Sequence, residues 1–367
     1  MIKVLSVFGT RPEAIKMCPL VKELESRQNI DSYVCVTGQH REMLDSVLHI
    51  FDVKPDFDLA VMKKGQTLSD ITTSILTGFS KVLDEVKPDI VLVHGDTSTA
   101  YASALASFYK EYPIGHVEAG LRTWDMKSPF PEEFNRQAID LVAQYGFAPS
   151  SMAEQNLINE QTKMKVFVTG NTSIDALSTT IEPNYSHEVL DWVGEGNKMI
   201  LLTAHRRENL GQPMRQMFKA ILRICDEHPE VRVVYPIHMN PKVRAIADEV
   251  LSGNKNINII EPLDVIDFHN FLDNAYIIVT DSGGIQEEAP SLGKPVLVMR
   301  ETTERPEGVA AGTLKVVGVE EETIYSSIKE LLTQSHSYET MSGAVNPYGD
   351  GTASKQIADI IEKYLGK

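Results

Sequence analysis

The sequence predicts an α/β protein made of two doubly wound halves, each built on a parallel sheet. Short β-rich runs alternate with helical stretches, the alternation pauses once and then resumes, and a linker-like segment lies in the pause. The expected strands lie near residues 2–8, 33–37, 90–94 and 114–117 in the first half, and near 199–203, 231–235, 257–260, 276–280 and 295–299 in the second.

The predicted domain boundary lies within residues 170–186, close to the linker-like stretch Glu-Pro-Asn-Tyr-Ser at 182–186. We therefore expect one domain over residues 1–175 and a second over 176–351, with a cleft between them. The run from Thr352 to Leu365 has the apolar spacing of a single amphipathic helix. We expect this last segment, 352–367, to pack back on the first domain.

Composition and charge exclude several classes of protein. The 367 residues are 42% hydrophobic with a formal net charge of -16, which suits a globular protein and argues against a nucleic-acid or anionic-membrane surface. Cys18, Cys35 and Cys225 form no paired motif, as is typical of a reducing compartment. No run reaches the ~18 apolar residues of a membrane span, and the N-terminus lacks signal-peptide character. We expect a cytoplasmic protein.

A strand, a tight turn and a helix are predicted around residues 277–288, where an apolar run stops at Asp-Ser-Gly-Gly. Asp281 or Ser282 is expected to cap the helix, and Gly283 and Gly284 would let a phosphate approach the backbone N–H groups. A carboxylate one turn later, such as that of Glu288, suits a ribose diol. An ordinary strand-to-helix turn with solvated glutamates explains the same residues, and both interpretations stay open.

Two cations follow the first predicted strand. Thr10 and Glu13 have capping-box spacing, and Pro12 suits a first helical turn. Arg11 and Lys16 would then lie near a helix N-terminus, where the helix dipole disfavours cations unless an anion is bound between them. The alternative is that both side chains are simply solvated.

Three carboxylates are predicted at strand or helix ends of the first half. Asp96 and Glu118 each follow a strand, and Glu132 begins a helix after a proline-rich loop. Taken singly, Asp96 suits a helix cap, Glu118 a partner for Arg122, and Glu132 a first-turn residue. Clustered together, they would raise one another's pKa values and supply acid and base groups.

Polar residues also follow strands of the second half. His205 and His238 each come after a strand, and Arg305 offers a contact for a diphosphate. His238 also suits a satisfied core position, and the charged run around Arg305 suits surface ion pairs. Motifs for phosphate loops, dinucleotides, zinc proteases and cysteine clusters are absent from the sequence. We expect no NAD, no ATPase site, no metal and no cofactor.

Six motifs, taken together and in this order, resemble the non-hydrolysing UDP-N-acetylglucosamine 2-epimerases of bacteria and archaea. They lie at residues 8–17, 94–97, 116–122, 131–136, 203–209 and 281–288. The resemblance implies the GT-B fold, with two Rossmann-like domains facing a deep cleft, and a homodimer. It also implies interconversion of UDP-N-acetylglucosamine and UDP-N-acetylmannosamine for envelope or capsule polysaccharides, through elimination and return of UDP.

The resemblance also implies roles for individual residues. The acid–base candidates are Asp96, Glu118 and Glu132, and His205 would assist the diphosphate. The UDP-binding candidates are Arg11, Lys16, Phe268, Ser282, Gly283, Gly284, Glu288 and Arg305. A second, activating UDP-N-acetylglucosamine would be bound through Gln39, Glu42, Gln66, Glu132, Arg206 and His238.

Three positions depart from the pattern of this family. Glu42 replaces a common glutamine and Gly65 an arginine, which bears on the activating site, and Leu263 replaces a glutamine near the uracil. Three alternatives stay open on sequence grounds. They are a hydrolysing relative that releases N-acetylmannosamine, a GT-B glycosyltransferase, and a nucleotide-sugar-binding regulator without turnover.

Overall fold

The structure is a computed structural model that describes residues 1–38, 41–63 and 65–366. The chain divides into two compact units. Unit 1 consists of Met1–Thr179 with Tyr348–Lys367, and unit 2 consists of Thr180–Pro347.

Each unit contains one sheet whose paired strands are all parallel. The strands of unit 1 are β1 (Ile2–Phe8), β2 (Ile30–Val36), β3 (Phe57–Asp58), β4 (Ile90–His94), β5 (Ile114–Val117), β6 (Tyr145–Ala148) and β7 (Lys165–Val168). Those of unit 2 are β8 (Lys198–Thr203), β9 (Val231–Pro236), β10 (Ile257–Ile260), β11 (Ile277–Thr280), β12 (Val296–Val298) and β13 (Leu314–Val316).

Helices connect the strands along the chain. In order they are α1 (Arg11–Glu25), α2 (Arg41–Ile50), α3 (Leu68–Val86), α4 (Ser98–Tyr109), α5 (Glu132–Val142), α6 (Ser151–Asn159), α7 (Thr172–Thr180), α8 (Glu188–Val193), α9 (Gln212–Glu227), α10 (Pro241–Leu251), α11 (Val265–Asn274), α12 (Ile285–Glu288), α13 (Pro306–Ala311), α14 (Glu321–Thr333), α15 (Ser335–Ser342) and α16 (Ala353–Leu365). None of the described helices is both long and apolar enough to cross a membrane.

The strand order places a topological switch point in each sheet. It is β3-β2-β1-β4-β5-β6-β7 in unit 1 and β10-β9-β8-β11-β12-β13 in unit 2. The direction of winding therefore reverses between β1 and β4 and again between β8 and β11. In open parallel sheets, ligands bind beyond the carboxyl ends of the strands at such a point. The loops after these four strands are thus where a ligand site is expected.

Side chains of β1 alternate between the two faces of the unit 1 sheet, as strand geometry requires. Val4 and Phe8 join a core cluster with residues of α1 and α16, whereas Leu5 and Val7 join one with residues of α3 and α4. All four side chains are fully buried. Helix α16 reaches the first cluster through Ile357, Ala358 and Ile361, so the C-terminal helix packs within unit 1.

Four strands were not predicted from the sequence: β3, β6, β7 and β13. They contain two to four residues each. Such runs are too short for a two-residue period to stand out. They lie toward the edges of the sheets. The central strands and the loops that follow them were therefore predicted even though these four were missed.

We expect removal of the Met17 side chain to destabilise unit 1. Met17 lies on α1 and is fully buried in the core shared with β1 and α16, so Met17→Ala should lower the free energy of unfolding by about 2–5 kcal/mol. Urea denaturation followed by circular dichroism measures the change.

The matched control is Met152→Ala on α6 of the same unit, where the methionine is 44% exposed. Its effect should stay within about 0.5 kcal/mol. Equal destabilisation by both variants would contradict the assignment of the core.

Candidate functional site

The loops after β1, β4 and β5 are tied together by buried polar contacts. Thr10 caps α1, and Glu13 returns the bond to the Thr10 backbone, so the predicted capping box is confirmed. Asp96 was considered as the cap of α4, but the residue that caps this helix is Thr97. The Thr97 hydroxyl also donates to Glu13 Oε1 at 2.7 Å, which joins the first loop to the second.

Glu118 is a buried carboxylate at the end of β5. It is 8% exposed, forms an ion pair with Lys16 from α1, and accepts a hydrogen bond from Asn171 Nδ2 at 3.2 Å. Its backbone is left-handed, with φ 65°. Burial alone would raise the pKa of Glu118, but Lys16, His94 and Arg136 outweigh burial and hold this pKa well below its usual value.

His94 ends β4 close to the same carboxylate. Its Nε2 lies 3.6 Å from Glu118 Oε2, and this nitrogen is buried without a hydrogen-bond partner among the described residues. Burial lowers the pKa of His94 to about 4, against the opposing pull of Glu118. His94 is therefore neutral at physiological pH.

Arg136 of α5 joins the second candidate carboxylate to the first. Its guanidinium pairs with Asp96, and its Nη1 donates to the Glu118 carbonyl oxygen at 2.9 Å. Asn135, the preceding residue, donates to the Asp96 carbonyl oxygen at 2.8 Å. The structure thus brings Asp96, Glu118 and Lys16 together around one buried arginine.

Glu132 and Glu133 differ in their surroundings although they are neighbours on α5. Glu132 is half-buried, and its side chain forms no hydrogen bond or ion pair with the described residues. Glu133 is buried and accepts hydrogen bonds from the backbone N–H groups of Thr123 and Trp124 at 3.0 and 3.1 Å. Glu133 therefore holds the preceding loop, and Glu132 is the one open to a ligand.

Glu118 does not pair with Arg122, the partner considered for it when it was taken singly. Arg122 instead binds Asp140 Oδ2 at 2.6 Å and both oxygens of Glu160 at 2.6 and 2.7 Å. Glu118 takes Lys16, which comes from a different helix. Arg11, at the start of α1, is half-buried and makes no side-chain hydrogen bond with the described residues.

In unit 2, Asp281 organises the loop after β8. It is fully buried and accepts hydrogen bonds from the backbone N–H groups of His205 and Arg206, each at 2.9 Å, and from Asn209 Nδ2 at 3.1 Å. The His205 ring stacks on His238, with centroids 5.3 Å apart. Burial lowers the pKa of His205, although Asp281 opposes the shift.

The expectation that Asp281 or Ser282 caps the following helix is wrong. Helix α12 begins at Ile285 with Gly284 as its N-cap and has no side-chain cap. The carboxylate of Asp281 is already used by the loop after β8, and the Ser282 carbonyl accepts a bond from Gln286. The predicted strand and turn are present, but the helix is a single turn, Ile285–Glu288.

The other predicted nucleotide contacts of unit 2 lie around this turn. Arg305 forms an ion pair with Glu287. Glu288 lies 3.8 Å from His269 Nε2, and the His269 ring lies 6.5 Å from that of Phe268, measured between centroids.

Of the predicted second-site residues, Gln39 and the side chain of Glu42 fall outside the described residues. Gln66 binds its own loop, because its amide donates to the Val61 carbonyl at 2.8 Å and its oxygen accepts from the Lys63 N–H at 2.6 Å. Arg206 donates from Nε to the Asp281 carbonyl at 3.2 Å. His238 accepts a bond from the Asn240 N–H.

Sequence reasoning gave no role to three buried residues that contact the carboxylates or their loops: His94, Arg136 and Asn171. It gave Glu13 and Asp281 only capping roles. The capping box was the one available signal for Glu13, whereas the contacts of Arg136 and Asn171 span 40 and 53 residues. No group of His, Cys, Asp and Glu suited to a metal ion occurs in the described part of the chain.

We expect acid to destabilise the protein through His94. The folded chain holds the pKa of His94 at about 4, whereas an unfolded histidine takes up its proton near pH ~6.5. The unfolded state therefore binds more protons between these values, and the free energy of unfolding falls as the pH is lowered through that window. His94→Gln should reduce this fall by about 3 kcal/mol, as urea titrations at several pH values would measure.

The depressed pKa of Glu118 acts in the same direction at lower pH and remains in the variant. His49→Gln, at an exposed position of unit 1, should keep the wild-type pH dependence. Identical curves for wild type and His94→Gln would refute the assignment.

Comparison with known proteins places the chain in a family. The model of the family described as UDP-N-acetylglucosamine 2-epimerase matches residues 22–362. The UDP-N-acetylglucosamine 2-epimerase of Bacillus subtilis (strain 168) is 60% identical over 366 residues, which span 100% of this chain and 96% of that protein.

Solved structures also resemble the chain over nearly its whole length, among them two with a bound ligand. One is an S. aureus protein in a co-structure with UDP, with 52% identity and a TM-score of 0.91 over 100% of this chain and 97% of that one. The other is the UDP-GlcNAc 2-epimerase of Neisseria meningitidis bound to UDP-GlcNAc, with 48% identity and a TM-score of 0.88 over 99% and 100%. The predicted GT-B fold is thereby confirmed, and this chain belongs to the UDP-N-acetylglucosamine 2-epimerase family.

Proposed function

We propose that the protein interconverts UDP-N-acetylglucosamine and UDP-N-acetylmannosamine by eliminating UDP from the sugar and adding it back. The observation that carries the proposal is the pair of carboxylates, Asp96 and Glu118, held by Arg136 at adjoining strand ends. The relatives support the substrate class, because their structures hold UDP and UDP-GlcNAc.

The chemistry explains why more than one carboxylate is needed. C2 carries an acetamido group and has no carbonyl beside it, so its proton is poorly acidic until the neighbouring C1–O bond begins to break. One carboxylate takes the C2 proton, the C–H electrons form the C1–C2 double bond, and the C1–O electrons leave with UDP. In the return step a UDP oxygen attacks C1 and a second group protonates C2 on the opposite face. Asp96, Glu118 and Glu132 are the proposed acid–base groups.

Lys16 connects phosphate binding to the pKa of Glu118. We assign Lys16 and Arg11 to the diphosphate, and Arg11 has no side-chain hydrogen bond to a described residue that would compete. Lys16 is paired with Glu118 in the structure. A diphosphate that competes for Lys16 would raise the pKa of Glu118 and so make it a stronger base when substrate arrives.

Unit 2 supplies the proposed nucleotide contacts. The chain itself does not require glycine at the turn after β11, since an added Cβ at Gly283 would meet only Arg206 Nη2 at 3.6 Å, and one at Gly284 only Glu288 Oε1 at 4.0 Å. Open space over bare backbone suits a phosphate. We assign Ser282, Gly283, Gly284 and Arg305 to the phosphates, His205 to the leaving oxygen, Glu288 to the ribose and Phe268 to the uracil.

We also propose that a second UDP-N-acetylglucosamine regulates the enzyme through Gln39, Gln66, Arg206 and His238. The stacking of His238 on His205 supports this, because it links a proposed regulatory side chain to a proposed reacting one. A sigmoidal dependence of rate on substrate concentration would reveal such activation.

The remaining proposals concern the oligomeric state, the cellular location and the biological role. Exposed apolar side chains on α4 and α5, those of Phe108, Tyr109 and Leu141, support a homodimer, which sedimentation would test. The described cysteines are free and buried, which supports a cytoplasmic enzyme. Its product would supply envelope or capsule polysaccharides.

We expect the protein to exchange the C2 proton of UDP-N-acetylglucosamine with solvent. Proton NMR of the substrate and purified protein in deuterium oxide should show UDP-N-acetylmannosamine with deuterium at C2, without added NAD or metal. Glu118→Gln should lower the exchange rate by about 100-fold or more, because it removes a proposed acid–base group.

Glu249→Gln, which breaks an exposed pair with Arg215, is the matched control and should exchange at the wild-type rate. Free N-acetylmannosamine would instead identify a hydrolysing enzyme. Binding without exchange would leave a transferase or a regulator as the better interpretation.

We expect Glu288 to select for the ribose hydroxyls. Its carboxylate lies near His269 in unit 2, and a hydrogen bond to a charged acceptor favours UDP over 2′,3′-dideoxy-UDP by about 10- to 100-fold. Glu288→Ala should bind both nucleotides with the weaker affinity, as calorimetry would measure. Glu301→Ala, at an exposed position, should keep the preference, and an undiminished preference in Glu288→Ala would exclude the ribose contact.

A further inference from the structure

His116 is fully buried in β5, and the mechanism proposed above gives it no role. Both of its ring nitrogens face oxygen atoms. Nδ1 lies 2.6 Å from Asp140 Oδ1, and Nε2 lies 2.7 Å from the carbonyl oxygen of Gly95. These distances are typical of strong hydrogen bonds on both sides of the ring.

The two oxygens fix the protonation state of the ring. A carbonyl oxygen only accepts, so Nε2 must carry a hydrogen. Arg122 donates to the other oxygen of Asp140, Oδ2, at 2.6 Å, and a carboxylate beside a permanently charged guanidinium stays ionised. Nδ1 must therefore donate as well, and a ring that donates from both nitrogens is an imidazolium.

The Gly95 carbonyl lies one residue before Asp96, in a turn where Gly95 has φ 63°. The Gly95 N–H donates to the Val117 carbonyl at 2.9 Å, and Val117 directly precedes Glu118. One turn therefore positions Asp96 and is bonded to the strand end that positions Glu118. The His116 ring, on β5, therefore contacts the turn that follows β4 through the Gly95 carbonyl.

We infer that His116 is a positioning residue that stays an imidazolium and fixes the Gly95 turn, and with it the separation of Asp96 and Glu118. A neutral ring can satisfy only one of its two acceptors. If the ring lost its proton, either the Gly95 carbonyl or the Asp140 carboxylate would face a lone pair and be repelled. The part that concerns catalysis rests on the proposed function.

Charged and titratable groups surround this network on every side. Arg136 and Asp140 come from α5, His94 from β4, Glu118 and Arg122 from the segment after β5, and Glu160 from the end of α6. Asp140 is shared between His116 and Arg122, and Arg122 is neutralised in turn by Glu160. The imidazolium thus has a fixed counter-ion.

The ring state can be measured directly. The full chain, labelled with ¹⁵N-histidine, is titrated from about pH 5.5 to 9 by long-range proton–nitrogen NMR, a range that a free histidine would cross. His116→Gln identifies the signal by its disappearance. Both ring nitrogens should stay protonated throughout, and a neutral ring anywhere in the range would overturn the inference.

The catalytic part is tested with two variants. His116→Gln should lower kcat by about 100-fold, as a displaced reacting group does, while KM stays within about threefold and UDP binding is unchanged. In Asp140→Asn the amide can donate to Nδ1, which leaves a neutral ring that still holds Gly95. Its kcat should fall less, and it should gain a pH dependence, with a matching titration of the ring, that wild type lacks.

His228→Gln is the matched control, because His228 is a partly buried histidine of unit 2 with a single ring contact, to Glu230 at 3.3 Å. It should leave kcat and the His116 signal unchanged. A wild-type chain without epimerase activity would refute the proposed function, and the NMR titration would still decide the ring state. Equal losses of kcat in both network variants, with no new titration in Asp140→Asn, would reduce His116 to a purely structural role.

Discussion

Two carboxylates cannot stay ionised side by side in a protein interior unless cations lie close to them, because burial penalises each charge and the charges repel one another. Unit 1 meets this constraint with Arg136, which contacts both Asp96 and Glu118, and with Lys16, which pairs with Glu118. The guanidinium is permanently charged and rigid, so it fixes geometry, whereas the ammonium is the cation that a phosphate can compete for.

In unit 2 a buried anion, rather than a cation, holds the loops at the strand ends. The buried carboxylate of Asp281 collects backbone and side-chain N–H donors from the loop after β8, which holds His205 and Arg206 beside the end of β11. In both units the strand order is the same over the first six strands of the sheet. The loops beyond the switch point therefore occupy equivalent positions in the two sheets. Cations hold them in unit 1, and the Asp281 carboxylate holds them in unit 2.

Local patterns made much of the architecture predictable, and long-range pairing did not. The capping box of Thr10 and Glu13 and the strands that precede Asp96 and Glu118 each depend on a few successive residues. The partner of Glu118 does not: the sequence suggested Arg122, four residues away, and the structure shows Lys16, 102 residues away. Similarly, the position of Asp281 after a strand suggested a cap, but the N–H groups that it accepts come from a loop about 75 residues earlier. Which charges meet is decided by sheet order, which no single segment encodes.

Because the backbone of Glu118 is left-handed, stability and activity favour different residues at this position. A side chain with a positive φ is strained by contact with its own backbone, at a cost of order 1 kcal/mol, and glycine would relieve that strain. Glycine would also remove a carboxylate that has to be neutralised in the interior. Glycine would therefore be the most stabilising residue at this position, but it cannot transfer a proton. A search for thermostable variants would select inactive ones at this site.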